Sequence, residues 1–296
     1  MKCLALIFFL ALQVVPSGQT KGRRVKVSQP DILAEGVIST RDVFASAFTP
    51  RGDTIYFTKS TLDRSQMKIM VSHRNGQEWT VPAVAEFSGK YRDLDPFVSP
   101  NGSRLYFNSD RPVAGKPVVK DTNIWVMNKT KFGWTQPEYL PAPINSEYAD
   151  FNVTATSRGT LYFASNRPGG KGGVDIYRSR FVKGKFTEPE NVAAVNTESN
   201  DSNPYVSPDE KFLLLVSNRP GGYGLDDLYI SYNQNGAWTT PQNLGSTVNT
   251  SDAEFCPFFL PSRKLFFFSR SYFVDEKRVG ENIYSVDPSA LGLMVH

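Results

Sequence analysis

The chain has 296 residues, a formal net charge of +4, 40% hydrophobic residues and two cysteines. Its lysines and arginines are spread along the sequence rather than clustered, which argues against a nucleic acid or an anionic membrane surface as partner. The two histidines, His73 and His296, sit in no recognisable motif, so neither a Ser-His-Asp triad nor a multi-histidine metal site is on offer.

Residues 1–18, MKCLALIFFLALQVVPSG, place Lys2 before an apolar run that ends in small residues. This is the layout of a signal peptide, and the run is too short for a transmembrane helix. An exported chain, periplasmic or secreted, is therefore expected. Residues 19–29 form a short basic lead carrying Lys21, Arg23, Arg24 and Lys26. With Cys3 removed, Cys256 is the single cysteine left, so no internal disulfide and no cysteine-based zinc site is expected.

From residue 30 to 296 short apolar bursts alternate with turn residues and no helical period persists, an all-β pattern. The bursts repeat. Aromatic or leucine pairs begin at Tyr56, Tyr106, Tyr162, Leu214 and Phe266, at steps of 50, 56, 52 and 52 residues. Each pair follows a tight turn such as VSPNGS (98–103) and precedes a third strand such as DIYRS (175–179). A WTxP-like segment opens a fourth strand at Trp79, Trp134, Phe186 and Trp238. Four short strands in about fifty residues match a β-propeller blade, and five such units are present. The fifth unit lacks a WTxP segment, while PDILAEGVIST (30–40) aligns with PENVAAVNTES (189–199). The predicted fold is one five-bladed propeller over 30–296. Its N-terminal strand completes the last blade, which removes an open sheet edge.

Ser99-Pro100-Asn101-Gly102, Ser207-Pro208-Asp209 and the two SNRPGG stretches at 165–170 and 217–222 resemble the WD-repeat-like propeller repeats of TolB-type proteins. The resemblance covers essentially all of the chain after residue 18 and implies an envelope-associated binding scaffold. Blade three departs from it at Ser157-Arg158-Gly159, and blade five rewrites the SNRPGG loop as SRSYFVDEKRVGE.

An aspartate heads each first strand: Asp42, Asp93, Asp150, Asp201 and Asp252. Two residues on stand Phe44, Asp95, Asn152, Asn203 and Glu254. Positions i and i+2 share a strand face, so two polar rings would line the mouth of the central channel. Such oxygen-rich rings suit a polar ligand or a hard cation such as Ca²⁺, although no cofactor is required. The competing reading makes each aspartate a turn cap. Arg111, Arg167 and Arg219 are expected to brace their own hairpins against Asp121, Asp175 and Asp226 or Asp227. The loop glycines are expected to supply positive φ, and Trp79, Trp134 and Trp238 to pack between blades.

The functional expectation is a monomeric binding scaffold for an envelope protein, a peptide or a saccharide, with no motif of catalysis. The alternative is a glycoside hydrolase drawing a carboxylate pair from Asp93, Asp95, Asp201 and Glu254, which would demand glycosidase spacing beside an aromatic-lined subsite. Departures from the repeat in blades two and five mark the loops where recognition is expected.

Overall fold

The computed structural model describes residues 29–113, 115 and 122–291. The expected signal peptide, all but the last residue of the basic lead, and Asp121 lie outside them. No helix among the described residues is long and apolar enough to cross a membrane.

Five antiparallel sheets form the blades of a propeller. Their first strands are Val43–Phe48, Asp93–Val98, Asp150–Ala155, Asp201–Val206 and Ala253–Leu260. Second strands such as Leu161–Ser165 are buried along their whole length, because a neighbouring blade covers each face of the sheet. That is why these segments read as continuous apolar runs rather than alternating ones.

The expected closure is present. Asp31 and Ile32 pair with Ser285 and Tyr284 at the edge of blade five, so the N-terminal strand supplies that blade's fourth member.

The WTxP segments are resolved into two pieces. Trp79, Trp134 and Trp238 sit in two-residue ladders against the end of the third strand, and the proline then interrupts pairing. The fourth strand resumes as Ala83–Val84, Glu138–Tyr139, Glu190–Asn191 and Gln242–Asn243. The threonine ties the pieces together: Thr80, Thr135, Thr187 and Thr239 each accept a third-strand amide proton, from His73, Asn128, Arg180 and Tyr232. Two of the tryptophans do bridge blades. Trp134 Nε1 donates to Tyr56 Oη at 2.9 Å, and Trp238 meets the Tyr162 ring edge-on at 6.0 Å.

Buried asparagines finish the ladder where the fourth strand ends. Asn145, Asn196 and Asn249 each accept from and donate to the backbone of one third-strand residue, Ile124, Ile176 and Leu228. A side-chain amide thus stands in for a missing strand residue and satisfies both backbone groups.

Every first strand carries a β-bulge at the same place, and the bulged residue has positive φ: Ala45 (54°), Asp95 (51°), Asn152 (51°), Asn203 (46°) and Cys256 (49°). Asp and Asn tolerate this region better than other non-glycine residues, so the Asx choice in blades two to four has a backbone cause. The bulge amides also stitch neighbours together. Ala45, Asp95 and Asn152 donate to Ser269, Thr58 and Asn108 of the preceding blade, each at 3.0 Å.

Candidate functional site

The bulges set the register of the site, and they correct the predicted rings. Counted from the bulge, the blade equivalents of Asp93, Asp150 and Asp201 are Val43 and Glu254, not Asp42 and Asp252. The residues two positions on are therefore Ala45, Asp95, Asn152, Asn203 and Cys256. Phe44 and Glu254 do not belong to that ring.

The two rings do different work. Asp93, Asp150, Asp201 and Glu254 are all fully buried and face the next loop of their own blade rather than the channel. Arg111, Arg167 and Arg219 reach them at 2.7, 2.6 and 2.6 Å, and Arg270 reaches Glu254 at 2.6 Å. Each carboxylate also takes hydroxyl or amide protons from the turn just upstream: Ser88, Ser146, Thr197 and Thr250. The loop arginines thus bind the head of their own first strand, not the hairpin aspartate. Asp175 and Asp227 instead accept amide protons from Lys171 and Gly172, and from Tyr223 and Gly224. The pairing of Arg111 with Asp121 lies outside the described residues. Blade one has Val43 in place of the acid, and its Asp42 makes a half-exposed contact with Lys59 at 2.9 Å. Asp252 accepts the Phe273 amide proton.

Because the acids are buried and their arginines nearly so, truncating one leaves an uncompensated charge. Asp201→Ala is expected to cost about 3 kcal/mol, read as a lowered denaturant midpoint at unchanged slope. A shift under about 0.5 kcal/mol would place the pair in the class of weak surface bridges.

The bulge ring is what meets the axis. Ser46, Asp95, Asn152, Asn203 and Cys256 line an axial well of about 40 Å³. That volume holds a water or one small polar group, not a ring. Below it Phe97, Tyr205 and Phe258 block the channel; Tyr205 and Phe258 lie 5.2 Å apart and Tyr205 Oη donates to the Phe259 carbonyl at 2.6 Å. The well is thus closed from the lower face. Ser46 is 5% exposed and its Oγ has no hydrogen-bond partner among the described residues. Burial pushes the Asp95 carboxyl up to about 6, against the pull of Arg64 and of hydrogen bonds from Cys256 and Asn152. Cys256 Sγ lies 3.7 Å from Asp95 Oδ1, and burial followed by the Asp95 charge pushes its thiol well above the usual range.

Over the well, on the face of the SNRPGG loops, opens a second pocket of about 330 Å³ that shares Asn203 with it. Arg64, Asp226, Phe255, Phe273 and Arg278 line it. Arg64 comes from the blade-one loop and lies 4.6 Å from the Phe44 ring centre and 5.5 Å from that of Phe255. Its guanidinium bonds Glu281 Oε2 at 2.8 Å. Arg278 comes from blade five, whose second and third strands run ten residues each, Leu265–Val274 and Lys277–Val286, and overhang the mouth. Its Nη1 lies 2.6 Å from Glu281 Oε1, a charge contact off hydrogen-bond geometry, while its Nη2 bonds the Leu62 carbonyl. The predicted blade-five departure therefore does reach the mouth; residues 114 and 116–121 of the blade-two departure lie outside the described residues.

Arg64 and Ser46 were missed in sequence, Ser46 although it stands in a first strand where three other blades have Pro96, Pro204 and Pro257; Arg278 and Glu281 fall within the predicted blade-five departure but were not singled out. The isolated Arg64 in a loop with no counterpart elsewhere was the available signal. Among the described residues, no group of three His, Cys, Asp or Glu side chains gathers as a metal site. The aspartate ring that would have offered Ca²⁺ several carboxylates is not assembled on the axis, where Asp95 is the one acid of the bulge ring.

No known family matches the sequence, and no curated protein does either. Solved structures do match. An endo-arabinase from Bacteroides thetaiotaomicron superposes with a TM-score of 0.54 at 16% identity, over 88% of this chain and 97% of that one. An α-L-arabinofuranosidase from Lactobacillus brevis gives 0.52 at 11% identity, over 86% and 94%. A prolyl endopeptidase structure gives 0.45 at 13% identity; the chain spans 33% of its length. At these identities the likeness establishes the propeller fold alone.

Proposed function

We propose that this is an exported, TolB-like propeller that binds a saccharide at the upper mouth without cleaving it. The observation carrying the reading is the axial arrangement. A polar well with one acid, Asp95, and an unpartnered hydroxyl, Ser46, lies beneath a pocket of about 330 Å³, which reaches the lower end of the range for small ligands. Phe255 offers an apolar surface there, while Arg64, Asn203 and Asp226 offer polar groups for sugar hydroxyls. Propellers of this shape that process arabinose-containing glycans support the ligand class. Hydrolysis by paired carboxylates needs two acids flanking the bond. The second carboxylate whose field reaches Asp95 is Glu281, 1% exposed and held by Ser60, Ser271, Arg64 and Arg278.

One observation favours hydrolysis as the second reading: Asp95 is raised toward neutrality, as a general acid must be. Both readings are separated by one experiment. Titration calorimetry with arabinan and other oligosaccharides is expected to show binding, with no release of reducing ends. Asp95→Asn is expected to weaken binding about tenfold, equivalent to about 1.4 kcal/mol, and to remove a change in affinity centred near pH 6. Reducing ends released by the parent protein and lost in Asp95→Asn would establish the hydrolase instead. No binding of any oligosaccharide would overturn both.

A further inference from the structure

A second cleft lies on the same face, separated from the mouth only by the blade-one loop that carries Arg64. It encloses about 1110 Å³ between blades one and two. Four cations line it, Lys59, Lys68, Lys90 and Arg92, against two carboxylates, Asp42 and Asp110. Asp42 is taken up by Lys59 at 2.9 Å, and Asp110 Oδ1 accepts the Arg92 amide proton at 2.9 Å. Among the described residues, Lys68 and Lys90 have no carboxylate within ion-pair distance, and the buried Arg92 Nε has no acceptor. Tyr91 stands between them, with the Lys90 ammonium 5.2 Å and the Arg111 guanidinium 5.4 Å from its ring centre. By contrast, the cleft on the lower face balances Arg158 and Lys211 against Asp209 and Glu210. The positive excess is local, and the fold assembles it from residues in two different blades.

We propose that this cleft binds the acidic residues of an anionic glycan, one bearing carboxylate or sulfate groups, whose chain continues over Thr61 and Leu62 into the axial mouth. The inference rests on the saccharide reading of that mouth and adds the charge class of the ligand. The lining suits it: Tyr91 offers an aromatic surface for a sugar, and the Lys68 and Lys90 ammonium groups meet the acidic substituents. The adjacency of cleft and mouth, with only the blade-one loop between them, favours a polymer over a free anion. Sulfate alone would fill neither the apolar surface of Tyr91 nor the pocket beyond the loop.

Titrating the full chain with oligogalacturonate, a sulfated dextran oligomer, neutral arabino-oligosaccharide and inorganic sulfate tests this directly. One or both acidic oligomers are expected to bind more tightly than the neutral one, with affinity falling as salt rises. The double variant Lys68→Ala/Lys90→Ala, with both positions at the surface, is expected to lose about tenfold of that affinity at low ionic strength. It should leave neutral-oligomer binding and the melting temperature unchanged. Equal affinity for acidic and neutral oligomers, indifferent to salt and to the double variant, would overturn the acidic-glycan inference and leave the saccharide reading standing. Acidic-oligomer binding that responds to the lysines but not to Asp95→Asn would uphold the cleft and overturn the axial anchor. Inorganic sulfate binding as tightly as the oligomers would overturn the glycan proposal.

Discussion

Replacing Glu281 by alanine is expected to lower stability by about 3–5 kcal/mol, the range for removing one partner from a buried charge network. For a domain of this size that is a fall in melting temperature on the order of 10 °C. The cause is local and countable. Glu281 is 1% exposed, takes protons from Ser60 and Ser271, and faces Arg64 and Arg278. Its truncation strands two guanidiniums at the seam where blade five meets blade one. That seam also carries the ring closure, since Glu281 N–H donates to the Arg41 carbonyl. Glu281→Gln keeps the volume and the serine bonds and should lose less. Burial raises the pKa of this carboxyl, but Arg64, Arg278 and Ser60 outweigh it and hold Glu281 below its ordinary value. Its stabilisation is therefore full at neutral pH and is lost as the pH falls through the acidic carboxylate range. Asp95 acts in the opposite direction: with its pKa raised to about 6, its ionisation opposes folding, so its penalty grows between pH 4 and 6 and is absent below. Thermal unfolding followed by circular dichroism checks both. A melting temperature for Glu281→Ala within about 2 °C of the parent would show that the seam does not depend on this carboxylate.

The second large effect lies in the SNRPGG loops. Gly172 and Gly224 have ordinary φ, yet a Cβ on Gly172 would overlap the Ser199 carbonyl, and one on Gly224 the carbonyls of Thr250 and Asp252. These carbonyls belong to the turn leading into the next blade. In blade four that turn supplies the Thr197 protons to Asp201, so displacing it also loosens the buried ion pair with Arg219. Gly172→Ala is expected to cost about 2–3 kcal/mol by overpacking against backbone that cannot yield. Gly169 is the control. Its φ is +93° but nothing lies within 4 Å of its Cβ position, so Gly169→Ala should cost only about 1 kcal/mol, the conformational penalty. Equal denaturant midpoints for the two variants would refute close approach as the reason for the glycines.

These loops show where reading the sequence reached and where it stopped. Their repetition identified the blade, but positive φ explains only Gly169 and Gly221; Gly172 and Gly224 lie against the next blade's backbone, while Gly170 and Gly222 make room for the Asp175 and Asp227 carboxylates of their own hairpins and Gly173 for the Asn200 side chain. The same limit applied to the acids. Asp93, Asp150 and Asp201 were visible as a periodic feature, and so was their possible role as caps. Their partners were misassigned because the sequence cannot show which strand end an arginine reaches after a hairpin turn. In blades one and five the alignment slipped by one or two residues. The bulge sets the register there, and aspartates at nearby positions imitate the repeat.

Blade number, blade period and ring closure follow from the sequence by itself, because each depends on local pattern repeated at a fixed spacing. The axial well, the Arg64–Glu281–Arg278 cluster and the basic cleft were decided only by the tertiary structure. Residues 59, 68, 90 and 92 look dispersed along the chain, as do 64, 278 and 281. Closing the ring brings the first and last blades side by side, and packing neighbouring blades brings their loops within reach of one another. Charge that is spread evenly in sequence thereby becomes concentrated on one face.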